Sequence, residues 1–359
     1  MSDANMTIQS HAGPYQVFFD DAALDVLEAN VAEGVHFIID AKVADLYRDK
    51  MQRILAHDSV LLIDALEENK ALDAFPAYVK HLVACKIRKD HRLCAIGGGI
   101  TQDITCFLAA TMLRGVDWIF YPTTLLAQAD SCIGSKSSIN AGDAKNILGT
   151  FTPPREVHID TRFLTTLNEV DVRSGVGEML KVHVIDGPDS FNKISDEYDA
   201  MFKDGETMRK FIHRSLQVKQ AYIERDEFDV GPRRVFNYGH SFGHAIESAT
   251  HFAIPHGVAV SIGSDMANFV AWKLGSGSQE NFERMHPAFK KNYKGFYGFP
   301  VPLEQFYSAI GKDKKNTGKN SLTLIMPDHQ GAVSIGRYEN DDQFRTACEE
   351  FFSGCYADE

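Results

Sequence analysis

Short apolar runs alternate with segments of helical periodicity through the first 160 residues of the chain. The apolar runs predict strands at 34–40, 59–63, 93–96 and 118–122, and the helical segments lie at 43–55, 74–85 and 103–113. Alternation of this kind is typical of a parallel sheet with helices on its faces. Because ligands of such sheets bind at the carboxyl ends of the strands, we expect a Rossmann-like α/β domain with its site at that edge.

Beyond residue 160 the pattern becomes mainly helical. Helices are predicted at 189–200, 205–225, 240–251 and 258–274, with one late strand at 321–326. The segment 130–140 is dense in small and polar residues and is predicted to be a hydrogen-bonding loop. A chain of 359 residues is too long for one core of ordinary size. We therefore expect an α/β domain over residues 1–160 and a mainly α-helical domain over residues 161–359.

Composition narrows the class of protein. Hydrophobic content of 44 % and charged content of 24 % are those of a globular protein, and no run of eighteen apolar residues predicts a membrane span. The six cysteines are scattered and no signal-peptide pattern is present, so a cytoplasmic location without disulfides is expected. A net charge of −12 argues against a nucleic-acid partner, because such binding depends on neutralising phosphates. It leaves room for a small anionic substrate.

Two histidines one helical turn apart, His240 and His244, suggest a metal site, and His256 follows further along the chain. On a helix both rings project from one face, where they can share a divalent metal, although capped or core histidines show the same spacing. Glu178 and Lys181 are adjacent on a predicted helix and form either a surface ion pair or part of a buried site. A carboxylate with two imidazoles suffices for catalytic zinc.

A triple glycine, Gly97-Gly98-Gly99, follows a predicted strand and precedes a helix. Glycines let a ligand approach the backbone, and the N–H groups of a helix N-terminus bind phosphate. The run lacks the GxGxxG fingerprint, so a tight structural turn explains it equally well. Further on, Lys136 and the pair Lys145-Asn146 could neutralise a phosphorylated sugar, or they could belong to an ordinary surface loop.

Together these motifs resemble those of the sugar phosphate cyclases, and most closely those of the 3-dehydroquinate synthases. The resemblance extends from Asp40 to Lys315. It is carried by 97–99 with Asp103, 114–116, 122–127, 130–136, 145–146, 163–167, 177–181, 226–227 with Arg233, 237–247 and 256–257. It implies a dehydroquinate synthase-like fold, with an NAD-binding α/β domain followed by a helical metal- and substrate-binding domain. It also implies a homodimer, in which Arg114 reaches the phosphate bound by the neighbouring subunit.

The resemblance assigns roles residue by residue. Zinc, replaceable by cobalt, would be held by Glu178, His240 and His256, so that His244 would face the substrate phosphate. The residues expected to contact NAD are Asp40, Lys42, Glu67, Lys70, Gly97, Gly98, Gly99, Asp103, Thr123, Thr124, Lys145, Phe163 and Thr166. Besides His244, the residues expected to contact substrate are Asp130, Lys136, Asn146, Lys181, Lys219, Arg233, Asn237 and Lys315.

The implied reaction is a carbon–oxygen lyase reaction followed by ring closure. NAD oxidises a ring hydroxyl, phosphate is eliminated, the hydride returns, and an intramolecular aldol step closes a carbocycle. The substrate remains open, because Ser174 stands where an Asp or Asn usually contacts it. Retained Arg233 favours 3-deoxy-arabino-heptulosonate 7-phosphate, giving 3-dehydroquinate in the shikimate pathway. The alternatives are a specialised cyclase, for instance one that converts sedoheptulose 7-phosphate to a valiolone for a secondary metabolite or polysaccharide, and a metal-dependent polyol dehydrogenase.

Overall fold

The computed structural model describes residues 5–142, 144–312 and 321–357 of the chain. Its contacts divide the chain into two compact units, one of Met1–Leu167 with Lys219–Asp229 and the other of Asn168–Val218 with Val230–Glu359. The segment that begins at Lys219 thus belongs with the N-terminal residues. Within the described residues, no helix combines the length and apolar character that crossing a membrane requires.

The first unit contains the strands that the apolar runs predict, within one or two residues at each end. Its strands are β1 Met6–Ile8, β2 Tyr15–Phe19, β3 Val35–Asp40, β4 Val60–Ile63, β5 Arg92–Gly97, β6 Asp117–Pro122, β7 Lys136–Ala141, β8 Ala144–Phe151 and β9 Glu156–Ile159. Its helices are α1 Ala23–Ala29, α2 Ala41–Leu46, α3 Gln52–Leu55, α4 Phe75–Ala84 and α5 Gly99–Thr111.

The described strands of this unit form a seven-stranded sheet in the order β1-β2-β9-β6-β5-β3-β4, with β7 and β8 as a separate antiparallel hairpin. Only β1 is antiparallel to its neighbour in the seven-stranded sheet, so the predicted parallel architecture is confirmed. From β3 the chain continues to β4 on one side, whereas β5 leads to β6 on the other. The strand order therefore reverses between β3 and β5, where open α/β sheets bind their ligands.

The second unit is mainly helical, as predicted. Its elements are α6 Glu169–Asp186, α7 Pro188–Asp196, α8 Tyr198–Met201, α9 Gly205–Ile223 (whose last residues belong to the first unit), α10 His240–Ala249, α11 His256–Lys273, α12 Gln279–Asn292, α13 Leu303–Gly311, β10 Ser321–Pro327, β11 Val333–Glu339 and α14 Asp342–Ser353. Helix α11 is the centre of the unit: residues 257–271 are all buried, and α6, α10 and α12 pack against it.

Three of the sequence predictions differ from the structure. The helix predicted at 43–55 is broken at Tyr47 and Met51, which leave helical geometry and are both buried. The helix predicted at 189–200 is interrupted at Glu197. Within the loop predicted at 130–140, residues 136–140 belong to strand β7, because pairing with β8 supplies the hydrogen bonds that the small polar residues do not predict locally. Tertiary contacts decide each of these cases.

Candidate functional site

Glycines set the spacing of the three helices that carry the second unit's site. A Cβ on Gly177 of α6 would collide with the carbonyl oxygen of Gly257 on α11, and a Cβ on Gly257 would collide with the carbonyl oxygen of Ser174. On α10, a Cβ on Gly243 would lie 3.0 Å from the carbonyl oxygen of Ala259. Backbone therefore packs directly on backbone. This close approach brings the residues that follow or precede these glycines into one place.

Glu178 lies at the centre of the resulting cluster. Its side chain is only 2 % exposed, and its two oxygens face different groups. Oε1 lies 3.6 Å from Nε2 of His240 and 3.3 Å from Nε2 of His256. Oε2 lies 2.5 Å from Nζ of Lys181. Nitrogen atoms of His240, His244 and His256 all lie within 4.8 Å of one another. The contacts of Glu178 with two of these rings join them to helix α6, which is far away in sequence.

The ring orientations fit a divalent metal. Nδ1 of His240 lies 3.1 Å from the carbonyl oxygen of Tyr238, and Nδ1 of His256 lies 3.2 and 3.3 Å from the two oxygens of Glu247. Each of these nitrogens can therefore donate its proton, which leaves Nε2 of both rings directed at Glu178. Metal-binding histidines are oriented in this way, with the other ring nitrogen donating to a carboxylate or carbonyl. A carboxylate and two such imidazoles form a suitable donor set for zinc or cobalt.

The protonation states of the three predicted metal ligands follow from burial and neighbouring charges. Burial opposes charge on Glu178, but Lys181, helped by His240 and His256, outweighs it and holds the pKa of the carboxyl well below its usual range. Burial lowers the pKa of His240 well below that of a free imidazole, although Glu178 acts in the opposite sense. Burial also acts to lower the pKa of His256, but bonds to Glu178 and Glu247 raise it to about 10. A metal would have to displace the proton of His256.

The other predicted residues of this unit lie near the same helices. Lys181 is buried on α6, with Nζ 5.5 Å from the ring centre of Phe236. Arg233 is buried in the turn at 232–237, which packs against α6, and Asn237 ends that turn and donates to the carbonyl of Arg234 at 3.1 Å. His244 is exposed and stacks on His256 at 5.7 Å between ring centres. The predicted contact of Lys315 lies outside the described residues.

In the first unit, predicted nucleotide-binding residues lie at the point where the strand order reverses. Asp40 ends β3 and accepts a hydrogen bond at 2.9 Å from the backbone N–H of Lys42 in the first turn of α2. Burial raises the pKa of Asp40, and its bond to the Lys42 N–H opposes this. Gly97 ends the neighbouring strand β5, and its carbonyl accepts from the N–H of Thr123 at 2.9 Å. Asp40 and Gly97 thus end adjacent strands at one edge of the sheet.

The three glycines of the β5–α5 turn differ in what an added Cβ would contact. A Cβ on Gly97 would collide with the side chain of Thr101, and one on Gly98 would lie 2.9 Å from the Cγ2 of Thr124. A Cβ on Gly99 would meet nothing within 4 Å. Packing within the chain therefore explains the first two glycines but not the third. The open space at Gly99 lies at the N-terminus of α5, where the N–H groups favour an anion.

A polar network joins four more predicted residues. Nζ of Lys70 lies 2.6 Å from Oδ2 of Asp103 and donates to Oδ1 of Asn146 at 2.8 Å. The side chain of Asn140 donates to Oε1 of Glu67 at 2.8 Å and accepts from the N–H of Asn146 at 2.9 Å. Burial raises the pKa of Asp103, and Lys70 opposes this. The sequence did not single out Asn140. Its position shortly before Lys145-Asn146, on the opposite strand of one hairpin, is the signal that could have identified it.

Two lysines expected to contact substrate each face an aspartate. Nζ of Lys219 lies 2.8 Å from Oδ1 of Asp130, which is itself a predicted site residue. Nζ of Lys136 lies 2.8 Å from Oδ2 of Asp229, a residue that the sequence reasoning did not select. Lys136 is half-exposed, whereas Lys219 is buried. Lys145 is exposed on β8.

Phe163 and Thr166 lie in a turn against Tyr47. The ring of Phe163 is buried in the core of the unit, 4.9 Å from the ring centre of Tyr47. Oγ1 of Thr166 lies 3.1 Å from the hydroxyl of the same tyrosine. The Phe163 side chain therefore packs in the core, and its backbone is the part left for a ligand.

Arg114 is exposed in a turn of unusual backbone geometry. Leu113, Arg114 and Gly115 have φ angles of 51°, 60° and 106°, all in the left-handed region. Such a conformation is costly for leucine and arginine and recurs at functional positions. Nζ of Lys89 donates to the carbonyl of Arg114 at 3.2 Å and supports the turn. The contact with a neighbouring subunit stays a prediction.

Comparison with known proteins links both halves of the chain to one family. The model of the 3-dehydroquinate synthase N-terminal domain matches residues 60–174, and that of the C-terminal domain matches residues 175–316. The 3-dehydroquinate synthase of Campylobacter concisus is 31 % identical over 339 residues, which are 92 % of this chain and 94 % of that protein.

Solved structures share the architecture at lower identity. A 2-deoxy-scyllo-inosose synthase complexed with carbaglucose-6-phosphate, NAD+ and Co2+ superposes with a TM-score of 0.83 at 22 % identity, covering 97 % of this chain and 99 % of that one. A 2-epi-5-epi-valiolone synthase from Streptomyces hygroscopicus with NAD+ and Zn2+ bound gives 0.82 at 23 % identity, covering 94 % and 96 %. These likenesses establish that the fold is dehydroquinate synthase-like.

Proposed function

Because this chain belongs to the 3-dehydroquinate synthase family, a family of carbon–oxygen lyases, we propose that it cyclises a sugar phosphate with elimination of phosphate. We propose NAD and a divalent metal, zinc or cobalt, as its cofactors. The observation that carries this is the cluster in which Glu178 faces His240 and His256 across 3.6 and 3.3 Å. The two related sugar phosphate cyclases of the same fold hold NAD+ together with Zn2+ or Co2+.

Glu178, His240 and His256 would hold the metal. When bound, the metal would acidify a substrate hydroxyl and NAD would accept and return a hydride. The chain's own contribution is orientation, because the Nδ1 contacts of both histidines direct Nε2 to one point. Lys181 keeps the Glu178 carboxylate charged while no metal is bound, so the site does not lose its anionic ligand to burial.

Buried cations would bind the anionic groups of the proposed substrate. Lys181 and Arg233 are buried in the second unit and Lys219 in the first, where fixed charges act more strongly than on a solvated surface. His244 follows His240 by one turn and is exposed, so it can donate to a phosphate oxygen. Asn237, Asp130 and the network that contains Asn146 would bind hydroxyl groups.

The first unit would bind the nucleotide at the edge where β3 and β5 end. Asp40 would accept from the ribose hydroxyls, and the open space at Gly99 would admit the pyrophosphate to the N-terminus of α5. The remaining residues that we assign to NAD are Lys42, Glu67, Lys70, Gly97, Gly98, Asp103, Thr123, Thr124, Lys145, Phe163 and Thr166.

We propose 3-deoxy-arabino-heptulosonate 7-phosphate as the substrate and 3-dehydroquinate as the product. The buried guanidinium of Arg233 supports this, because a substrate carboxylate needs a fixed cation. One observation favours the second candidate, sedoheptulose 7-phosphate or a similar sugar phosphate. Ser174 stands where an Asp or Asn is usual, and its hydroxyl accepts at 3.0 Å from the N–H of Gly257. That hydroxyl is therefore engaged within the protein. A cytoplasmic homodimer with Arg114 at the partner's phosphate completes the proposal.

The test is product formation by the purified chain. It would be incubated with NAD, zinc or cobalt and each sugar phosphate, while released phosphate is measured and the product is identified by NMR. We expect phosphate release without net NADH. Release from sedoheptulose 7-phosphate alone would replace the first substrate with the second, and NADH accumulation without phosphate would establish a dehydrogenase instead. Glu178→Ala should abolish turnover, whereas Glu169→Ala, at an exposed position of the same helix, should retain it.

A further inference from the structure

Glu247 lies on the same face of α10 as His240 and His244. The three residues are spaced at i, i+4 and i+7, the spacing of one helical face. The Glu247 side chain is 11 % exposed, and both of its oxygens lie within 3.3 Å of Nδ1 of His256. It therefore connects α10 to the first residue of α11, across the bend at 250–255. The Glu247 carboxylate is thus nearly buried, and its contact is specific to Nδ1 of His256.

The two proposed histidine ligands are held by different means. His240 donates to a backbone carbonyl, that of Tyr238, and its side chain is 14 % exposed. His256 is 38 % exposed, and a side chain rather than the backbone accepts from its Nδ1. Glu247 can therefore be changed without altering the partner of His240.

We propose that Glu247 is a positioning residue, which holds the ring of His256 so that Nε2 points to a divalent metal shared with Glu178 and His240. This inference rests on the proposed function, since it concerns the same metal. The backbone beside the ring is already fixed, because the N–H of Gly257 donates to the hydroxyl of Ser174 at 3.0 Å. The remaining freedom of His256 is rotation of the ring, and Glu247 removes that freedom.

Two physical effects give Glu247 its influence on metal affinity. An acceptor at Nδ1 selects the tautomer with a lone pair at Nε2, and a carboxylate acceptor makes that lone pair more basic. The carboxylate also adds a negative charge next to the N-terminus of α11, where the positive end of the helix dipole repels a cation. Removing such a partner typically lowers metal affinity by about 10- to 100-fold.

The experiment measures metal affinity on the full chain. Zinc and cobalt would be titrated against a chromophoric chelator for the wild type, Glu247→Ala, Glu247→Gln and the control Ser248→Ala, which changes the exposed neighbour on the same helix. We expect about a 10- to 100-fold loss for Glu247→Ala, a smaller loss for Glu247→Gln and none for the control. The visible spectrum of bound Co2+ should change in Glu247→Ala, because it reports ligand geometry.

The outcomes separate this inference from the function on which it rests. Wild-type affinity in Glu247→Ala, with the wild type binding metal tightly, overturns the role of Glu247 and leaves the proposed function standing. Failure of the wild type to bind either metal overturns both. If Glu247→Ala does not fold, Glu247→Gln decides, because its amide oxygen can accept the bond but lacks the charge. A loss of about threefold or more supports the inference, and unchanged affinity overturns it.

Discussion

Replacing Gly177 with alanine tests whether the spacing of α6 and α11 sets the geometry of the proposed metal site. The added Cβ would collide with the carbonyl oxygen of Gly257 and the hydroxyl of Ser261, and it would lie 3.0 Å from the Gly257 carbonyl carbon. Two of these atoms are backbone, so no side-chain rotation relieves the contact. The helices have to separate by about 1 Å to restore van der Waals distances.

Two opposing effects determine how Gly177→Ala changes the free energy of unfolding. Alanine in a helix gains about 1 kcal/mol over glycine, whereas overpacking a close contact costs about 1–3 kcal/mol and more where backbone must move. We expect the free energy of unfolding to fall by about 1–3 kcal/mol. Metal sites tolerate deviations of only about 0.2 Å in ligand distance. Because Glu178 lies on α6 and His256 on α11, metal affinity should fall by about tenfold or more.

Urea unfolding followed by circular dichroism measures the stability, and chelator competition measures the affinity. Gly205→Ala is the matched control, since Gly205 begins helix α9 and an added Cβ there meets nothing within 4 Å. That variant should be as stable as the wild type or up to about 1 kcal/mol more stable, with unchanged metal affinity. If Gly177→Ala behaved like this control, close packing of α6 on α11 would not determine the site.

Three further predictions use other parts of the chain. Lys181→Met removes the ammonium group 2.5 Å from the buried Glu178 carboxylate, and it should lower the free energy of unfolding of the metal-free protein in urea by about 3–5 kcal/mol. Lys273→Met, at a partly exposed pair, should lower it by under about 1 kcal/mol. Burial lowers the pKa of His183 to about 4. The folded protein therefore binds this proton only near pH 4, whereas the unfolded chain binds it below about pH 6.5. This contribution to the free energy of unfolding should be fully present above about pH 6.5 and should fall by up to about 3 kcal/mol toward pH 4. If the free energy of unfolding of His183→Leu depended on pH as steeply as that of the wild type, the prediction would be contradicted. Gly99→Leu enters open space, so it should unfold like the wild type yet bind NAD about tenfold or more weakly in a fluorescence titration.

The sequence predicted most of the sheet because its central strands are short, continuous apolar runs. β3, β5 and β6 are buried along nearly their whole length, and this is the pattern that strands covered on both faces show. The hairpin β7–β8 was not predicted. Most residues of β7 and β8 are small, polar or exposed, and pairing across the hairpin supplies the hydrogen-bond partners of their backbone groups.

The candidate site, like the sheet, was only partly predictable from the sequence. The residue types of the metal cluster were recognisable, since a carboxylate and imidazoles are few in number and chemically distinctive. Glu247, Asn140 and Asp229 were not selected, because each acts on another polar side chain and such partners are far apart in the sequence. Helical spacing from His240 to Glu247 was the one local signal available.

Local sequence is sufficient to place β5, the glycine turn and α5 in order, and to mark His240 and His244 as candidate ligands, whereas His256 was assigned through the family resemblance. Periodicity and residue chemistry are properties of neighbouring positions, so they can be recognised without a fold. Which oxygen of Glu178 faces the imidazoles, and which faces Lys181, depends on how closely α6, α10 and α11 pack. That distance is set by glycine backbone contacts between segments some 80 residues apart, from Gly177 to Gly257. Only the folded chain brings them together.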